Sequence, residues 1–134
     1  MNARGHLEVG GCDVVELARE FGTPAYVYAE DDIRERAREY VDAFAAHTDA
    51  FEVVYASKAA PIAAIFRLVT ELGLAVDVAS AGELHAALRA GVDPARVYLH
   101  GNNKTTRDLR LATEAGVGHV VCDSFDEIER LDAL

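Results

Sequence analysis

The sequence predicts an α/β fold in which helices cover a parallel sheet. Short runs rich in Val, Ala and Leu begin near Phe51, Leu74, Val97 and His119, at intervals of 22 to 23 residues. A helical pattern follows each run, and the first three of these helices end in glycine, the residue that best fits the position after a helix. Strand–helix repetition of this kind indicates either a doubly wound sheet or a (β/α)₈ barrel.

The first 50 residues lie outside this repeat. They predict a short helix from Asp13 to Phe21 that ends at Gly22, a strand from Thr23 to Tyr28, and an amphipathic helix from Asp31 to His47. One face of the second helix carries Ile33, Ala37, Tyr40, Val41 and Phe44.

Helix starts are marked within the repeat. Capping-box spacing joins Ser80 to Glu83, Ser124 to Glu127 and, in a weaker form, Thr105 to Asp108. Pro61 suits the first turn of the helix that follows the first strand.

Four strand–helix units are present and the last stops within its helix, whereas a complete barrel takes about 250 residues. We therefore expect the chain to be part of a longer protein.

Composition narrows the functional classes. A net charge of −10 argues against nucleic acid and anionic membranes as partners. No apolar run approaches the roughly 18 residues of a membrane span, and no apolar segment of a secretory signal follows Met1. We expect a cytoplasmic protein in which Cys12 and Cys122 are reduced and without a chemical role.

Lys58 is the first candidate for chemistry, because it directly follows the predicted strand from Phe51 to Tyr55. Ligands of α/β folds bind at the carboxyl ends of such strands, and a partly desolvated lysine there can attack a carbonyl group. Ala56, two residues earlier, is expected on the same face and would leave room for a flat ring. The alternative is an ordinary solvated lysine.

Asp77 and the segment His100-Gly101-Asn102-Asn103-Lys104 follow at the ends of the next two strands. Asp77 lies in an apolar run, so it needs a partner, and Lys58 on the neighbouring strand is close enough to serve. A structural salt bridge, a strand-end cap or an ordinary loop would explain the same residues. No metal-ligand spacing and no glycine-rich phosphate loop is present. The remaining histidines are interpreted as structural or surface residues.

These motifs resemble a known family, the fold-type III pyridoxal-phosphate-dependent amino-acid decarboxylases. Tyr55-Ala56-Ser57-Lys58-Ala59 resembles its cofactor-lysine motif, and the segment from Asp77 to Leu84 resembles the next one. The segment His100–Lys104 resembles the diaminopimelate decarboxylase branch, whereas ornithine and arginine decarboxylases usually carry Ala-Asn-Pro there. Thr23–Tyr28 is similar to the family's entry strand, so the resemblance extends from about Gly11 onward.

The resemblance implies an alanine racemase-like (β/α)₈ barrel, with residues 1–28 leading in and residues 29–134 forming part of the pyridoxal-phosphate-binding barrel. It implies that Lys58 bonds covalently to pyridoxal phosphate, that Asp77 lies beside that bond, and that Ala56 and His100 line the pocket. The implied reaction converts meso-2,6-diaminopimelate to L-lysine and carbon dioxide, in a homodimer. The family's phosphate-binding glycine loop and substrate-binding residues have no counterpart within this chain.

Two other functions stay open at this point. One is a related decarboxylase acting on ornithine, arginine or carboxynorspermidine, against which the His100–Lys104 motif weighs. The other is a non-catalytic relative that keeps the fold for partner binding, against which Lys58 and Asp77 weigh.

Overall fold

The computed structural model describes all 134 residues, and its elements confirm the predicted α/β class. The chain divides into two compact units, Met1–Ala43 and Phe44–Leu134. The second unit contains all the parallel strands. None of the helices combines the length and the apolar composition that crossing a membrane requires.

The first unit opens with an antiparallel hairpin that was not predicted from the sequence. Strands β1 (Glu8–Val9) and β2 (Cys12–Asp13) pair across Gly10 and Gly11, whose φ angles are 56° and 76°. Two adjacent residues with positive φ form the turn that best suits a tight hairpin, and a Gly-Gly pair is its sequence signal.

Helices α1 (Val14–Phe21) and α2 (Glu30–Ala45) follow, as predicted. Asp13 caps α1, its Oδ1 accepting the backbone N–H of Val15 at 2.8 Å. The strand predicted from Thr23 to Tyr28 is wrong, because neither sheet includes this segment. A strand exists only where its backbone pairs with a neighbouring strand.

The second unit is built on a four-stranded parallel sheet. Its strands are β3 (Val54–Ala56), β4 (Ala75–Val78), β5 (Val97–Leu99) and β6 (His119–Val120), in the order β3-β4-β5-β6. Its helices are α3 (Ala63–Glu71), α4 (Ala81–Ala90), α5 (Thr106–Ala115) and α6 (Phe125–Asp132). The strand order follows the sequence without the reversal of a doubly wound sheet, which favours the barrel.

Strand alternation separates a buried face of this sheet from a polar one. Val76, Val78, Val97 and Leu99 are fully buried, and with side chains of the covering helices they form the core. The other face carries polar side chains from the positions between them, and these are only half-buried. The sheet therefore holds its chemical groups on the face turned away from the core.

The helix caps confirm the predicted helix starts, but the acidic side chains bind different backbone N–H groups in different caps. Thr105 and Asp108 form a complete capping box, although their spacing had suggested a weaker one. Ser80 and Ser124 also cap their helices, but the glutamate three positions on accepts the N–H of the residue before each serine, at 2.7 Å and 2.9 Å. Glutamate has one more methylene than aspartate, so its carboxylate reaches one residue further back.

The placement of Pro61 in the first helical turn is wrong, since α3 begins at Ala63. A three-residue 3₁₀ turn, Ser57–Ala59, intervenes after β3. Ala60 then adopts an extended conformation, with φ −161° and ψ 90°. A residue before proline disfavours the helical conformation, so the helix starts only beyond Pro61.

Gly118 gives a stability prediction. A Cβ atom at this position would lie 2.0 Å from the carbonyl oxygen of Ala95, while the Gly118 N–H bonds to the carbonyl oxygen of Pro94 at 2.9 Å. Gly118→Ala must therefore push two backbones apart, and we expect it to lower the free energy of unfolding by about 3 kcal/mol or more. Urea denaturation measures this value.

The control is Gly82→Ala, because a Cβ there meets nothing closer than Ser80 Oγ at 3.9 Å and Gly82 lies inside α4. We expect this variant to be as stable as the wild type or more so, since alanine favours helix by about 1 kcal/mol over glycine. Equal stability of the two variants would contradict the close approach at Gly118.

Candidate functional site

The polar face of the sheet brings together residues from four strands. In the parallel register Ala56 lies opposite Asp77, Asp77 opposite Tyr98, and Tyr98 opposite His119. These four residues therefore form one row on one face. His100 continues β5 beyond its last paired residue, since its backbone N–H bonds to the carbonyl oxygen of Val78 at 2.8 Å.

Asp77 and His100 come close together at the carboxyl ends of their strands. Asp77 Oδ2 lies 3.8 Å from His100 Nδ1, and the Asp77 side chain is about one quarter exposed. Burial raises the pKa of Asp77. The charge of His100 lowers this pKa, the charge of Glu83 raises it, and the charge of Lys58 lowers it. The net effect is a pKa above the ordinary value for aspartate. The protonated form of this carboxyl group is therefore more favoured than in a solvated aspartate.

Lys58 lies within the 3₁₀ turn rather than on the strand, and it is exposed. The expectation that Ala56 and Lys58 share a strand face is therefore wrong, because strand alternation ends at Ala56. The turn is closed by the Ala60 N–H, which bonds to the carbonyl oxygen of Ser57 at 3.0 Å. Lys58 is still close enough for its charge to act on Asp77. The structure thus collects the predicted lysine, aspartate and histidine at one edge of the sheet.

Ser57 is buried beside Lys58, and its hydroxyl oxygen has no hydrogen-bond partner. Buried hydroxyl groups are normally paired, so an unpaired one in the same turn as Lys58 is an uncommon feature. No sequence pattern predicts this unpaired hydroxyl group.

A second polar network occupies the same face and was not predicted. Tyr98 OH donates to Glu52 Oε2 at 2.7 Å, and Arg96 Nη2 donates to Glu52 Oε1 at 2.9 Å. The ring of Tyr98 stacks on that of His119, with centroids 4.1 Å apart and planes 3° apart. The hydrogen bond from Tyr98, then that from Arg96, lowers the pKa of Glu52. His119, interpreted from the sequence as a structural or surface residue, is thus part of the polar row.

Lys104 belongs to the same sequence motif as His100 but not to the same cluster. Its side chain is only 1% exposed and forms an ion pair with Glu127, Nζ to Oε1, at 3.0 Å. From the sequence, Lys104 was expected together with His100 at the carboxyl ends of the strands. The missed signal is the acidic pair Asp123 and Glu127 in the next unit, which a buried lysine requires as counter-charges.

The exposed residues fit an aldehyde-bearing cofactor with an aromatic ring. The primary amine of Lys58 can bond to an aldehyde carbon, and the carboxyl group of Asp77 stands near it. Ala56, opposite Asp77 in the register, adds little bulk beside it. Gly101 packs on Ala79, since a Cβ atom added at Gly101 would lie 3.3 Å from the Ala79 carbonyl oxygen. An imidazole, that of His100, completes the set.

Comparison with known proteins identifies relatives along the whole chain. Diaminopimelate decarboxylase from Halalkalibacterium halodurans is 49% identical over 131 residues, which cover 98% of this chain and 30% of the relative. The crystal structure of diaminopimelate decarboxylase from M. jannaschii superposes with a TM-score of 0.90 at 34% identity, over 99% of this chain and 32% of that one. The same enzyme in co-complex with L-lysine gives a TM-score of 0.86.

The chain thus spans about 30% of the length of the curated relatives it matches. The family model described as "pyridoxal-dependent decarboxylase, pyridoxal binding domain" matches residues 30–134. This range includes every strand of the parallel sheet and every residue of the Lys58, Asp77 and His100 cluster. The chain therefore belongs to the pyridoxal-dependent decarboxylases, and the matched residues are those of the family's pyridoxal-binding domain.

Proposed function

We propose that the full protein containing this chain removes one carboxylate from meso-2,6-diaminopimelate, giving L-lysine and carbon dioxide, the last step of lysine biosynthesis. The observation that carries the proposal is the placement of Lys58, Asp77 and His100 at the carboxyl ends of three neighbouring strands. Support for the substrate comes from the relatives, which are diaminopimelate decarboxylases, one of them solved with L-lysine.

In this proposal Lys58 is the residue that bonds to pyridoxal phosphate. Its Nζ is the attacking amine, and its exposed position in the 3₁₀ turn leaves it accessible to both cofactor and substrate. The bound cofactor supplies an electron sink for the electron pair that the departing carboxylate leaves behind. Because Lys58 also has to give way to the amine of the substrate, its place on a short exposed turn suits its role.

Asp77 acts beside Lys58 in this proposal. Its carboxylate stabilises positive charge at the lysine nitrogen, and its burial raises its pKa above the ordinary value for aspartate. His100 limits that rise, since its Nδ1 lies 3.8 Å from Asp77 Oδ2 and its electrostatic effect lowers the Asp77 pKa. Ala56 leaves room for the cofactor ring on the same face of the sheet.

We further propose that residues 1–28 lead into the barrel and that residues 29–134 form part of it. Strands β3 and β6 each have one neighbour in the sheet, so each has an unpaired edge that further strands of a barrel would cover in the full protein. We also propose that the full protein is a cytoplasmic homodimer, by analogy with the family to which the chain belongs. Analytical ultracentrifugation measures that state.

The experiment that tests the function is a substrate comparison. The full protein, loaded with pyridoxal phosphate, is assayed for carbon dioxide release from meso-2,6-diaminopimelate, L-ornithine, L-arginine and carboxynorspermidine. We expect kcat/KM to be highest for diaminopimelate by a factor of about a hundred or more. A site built to bind the charged groups at the second end of one substrate discriminates strongly against substrates that lack them. Preference for another substrate would assign the protein to a related decarboxylase. Cofactor binding without turnover of any of them would indicate a non-catalytic relative.

A further inference from the structure

Lys104 is a charged side chain that is almost completely buried. Four oxygens surround its Nζ, and all of them accept a hydrogen bond or form an ion pair. They are the carbonyl oxygens of Gly101 and, at 2.8 Å, Val121, together with Asp123 Oδ2 at 3.5 Å and Glu127 Oε1 at 3.0 Å. A buried ammonium group is tolerated only when oxygen atoms such as these surround it. Leaving any of these oxygens without the ammonium group is also costly in free energy.

The partners of Lys104 come from two successive strand–helix units. Gly101 lies in the same loop as Lys104, whereas Val121, Asp123 and Glu127 lie after β6 or in α6. The backbone of Lys104 is held as well, since Arg130 Nη1 donates to its carbonyl oxygen at 2.8 Å. The loop of residues 100–104 is therefore fastened to the next unit through one ammonium group and one guanidinium group.

The carboxyl group of Glu127 in this ion pair has a lowered pKa. Burial raises the pKa of Glu127, but the Asp123 N–H and the Lys104 ammonium outweigh it, so the pKa lies below the ordinary value of 4.5. A depressed carboxyl pKa contributes stability above the unfolded value, which is lost as the pH falls through the folded value. The Glu127 carboxylate is thus ionised at neutral pH, and its contribution to stability is lost in acid.

The same loop carries His100, which is held on two sides. Its backbone N–H bonds to Val78, and the next carbonyl oxygen, that of Gly101, is bound by Lys104. Gly101 has a φ of 112° and packs against Ala79, a geometry that tolerates little change. The hold of Lys104 on Gly101 therefore fixes where the His100 imidazole stands relative to Asp77.

We propose that Lys104 is a positioning residue of the site: its buried ammonium group holds the loop of residues 100–104 so that His100 stays beside Asp77. Its consequence for catalysis rests on the proposed function, but its consequence for the loop does not. Without the ammonium group, the carbonyl oxygens of Gly101 and Val121 lose their donor and Glu127 keeps an unpaired charge. The loop then shifts to rehydrate these groups, and His100 moves away from Asp77.

The test is Lys104→Met in the full protein, because methionine keeps much of the chain length and removes the charge. The first measurement is the carboxyl pKa of Asp77, which is determined by an NMR titration of the cofactor-free protein. The charged groups that act on Asp77 are His100, Glu83 and Lys58. Loss of the opposing His100 charge should raise the Asp77 pKa by about half a unit or more. The control, Arg36→Met, removes an exposed partner of Glu39 on α2 and should leave the Asp77 pKa unchanged.

The second measurement is the kinetics of the loaded enzyme. We expect Lys104→Met to lower kcat on the order of tenfold, with KM within about twofold, and to displace the pH profile in the direction of the Asp77 shift. A variant that only melts earlier, with an unaltered Asp77 titration and unaltered kcat, would overturn the proposal and leave Lys104 a stabilising residue.

Glu127→Gln keeps the proposal testable if Lys104→Met does not fold. It preserves the shape of the pair and removes the negative charge, so the Asp77 pKa should move in the same direction by a smaller amount. No movement in that variant would overturn the positioning role. If the wild-type protein releases no carbon dioxide from any substrate, the proposed function fails, while the Asp77 titration still decides the role of Lys104.

Discussion

Replacing Lys58 with methionine should leave the protein folded and reduce decarboxylation on the order of a thousandfold or more. Lys58 is exposed and lies in a short turn, so its loss removes no core packing. The chain has one other lysine, Lys104, whose ammonium group is buried among four oxygens and cannot replace it. The enzyme would therefore lose the only accessible lysine amine that this domain offers for a covalent bond to the cofactor.

Two measurements check this prediction. Carbon dioxide release gives the loss of turnover, and thermal unfolding followed by circular dichroism should give the wild-type transition. Arg67→Met is a suitable control, since it removes a positive side chain from α3, outside the proposed site, and should leave turnover unchanged. Near-normal turnover in Lys58→Met would contradict the assignment of Lys58.

Asp77→Asn should lower turnover about a hundredfold and leave the stability unchanged or increased at pH 7. The amide keeps the size of the side chain but cannot balance a positive charge at the Lys58 nitrogen, and a positioned acid or base is typically worth a factor of that order. Because burial raises the pKa of Asp77, the folded state prefers the protonated carboxyl. The stability linked to that preference is present at low pH and is lost as the pH rises through the folded pKa, so at neutral pH the neutral amide removes a penalty.

The same substitution separates a catalytic acid from a structural one. Urea denaturation at pH 5 and pH 7, combined with kcat at both values, gives the comparison. A structural salt bridge would show the reverse pattern, with normal turnover and a clear loss of stability at pH 7. That outcome would favour the interpretation of Asp77 as a partner in an ordinary ion pair.

The helices and strands of the repeat could be predicted because residues at or near their ends signal where they begin and end. Serine or threonine with an acid three positions on marks a helix start, and Gly91 and Gly116 adopt the left-handed conformation that the predicted helix ends require. Asp77 and His100 could be placed together because parallel strands end at one edge of a sheet. These inferences need only the residues near each element.

The features that escaped prediction depend on contacts between distant segments or on a backbone detail. Lys58 was expected on the strand, but a 3₁₀ turn holds it because the extended Ala60 before Pro61 delays the helix. The burial of Lys104 requires Glu127, a residue 23 positions away whose approach depends on the packing of the next unit. The stacking of Tyr98 on His119 likewise follows from the register of β5 and β6, which no local pattern fixes.

Covalent labelling shows whether Lys58 carries the cofactor. The full protein is loaded with pyridoxal phosphate, reduced with borohydride to fix any bond between a lysine nitrogen and the cofactor's aldehyde carbon, digested and mapped by mass spectrometry. We expect that, within this chain, the label lies on the peptide containing Lys58 and that the peptide containing Lys104 is unmodified. Label on Lys104, or no label anywhere in this chain, would contradict it.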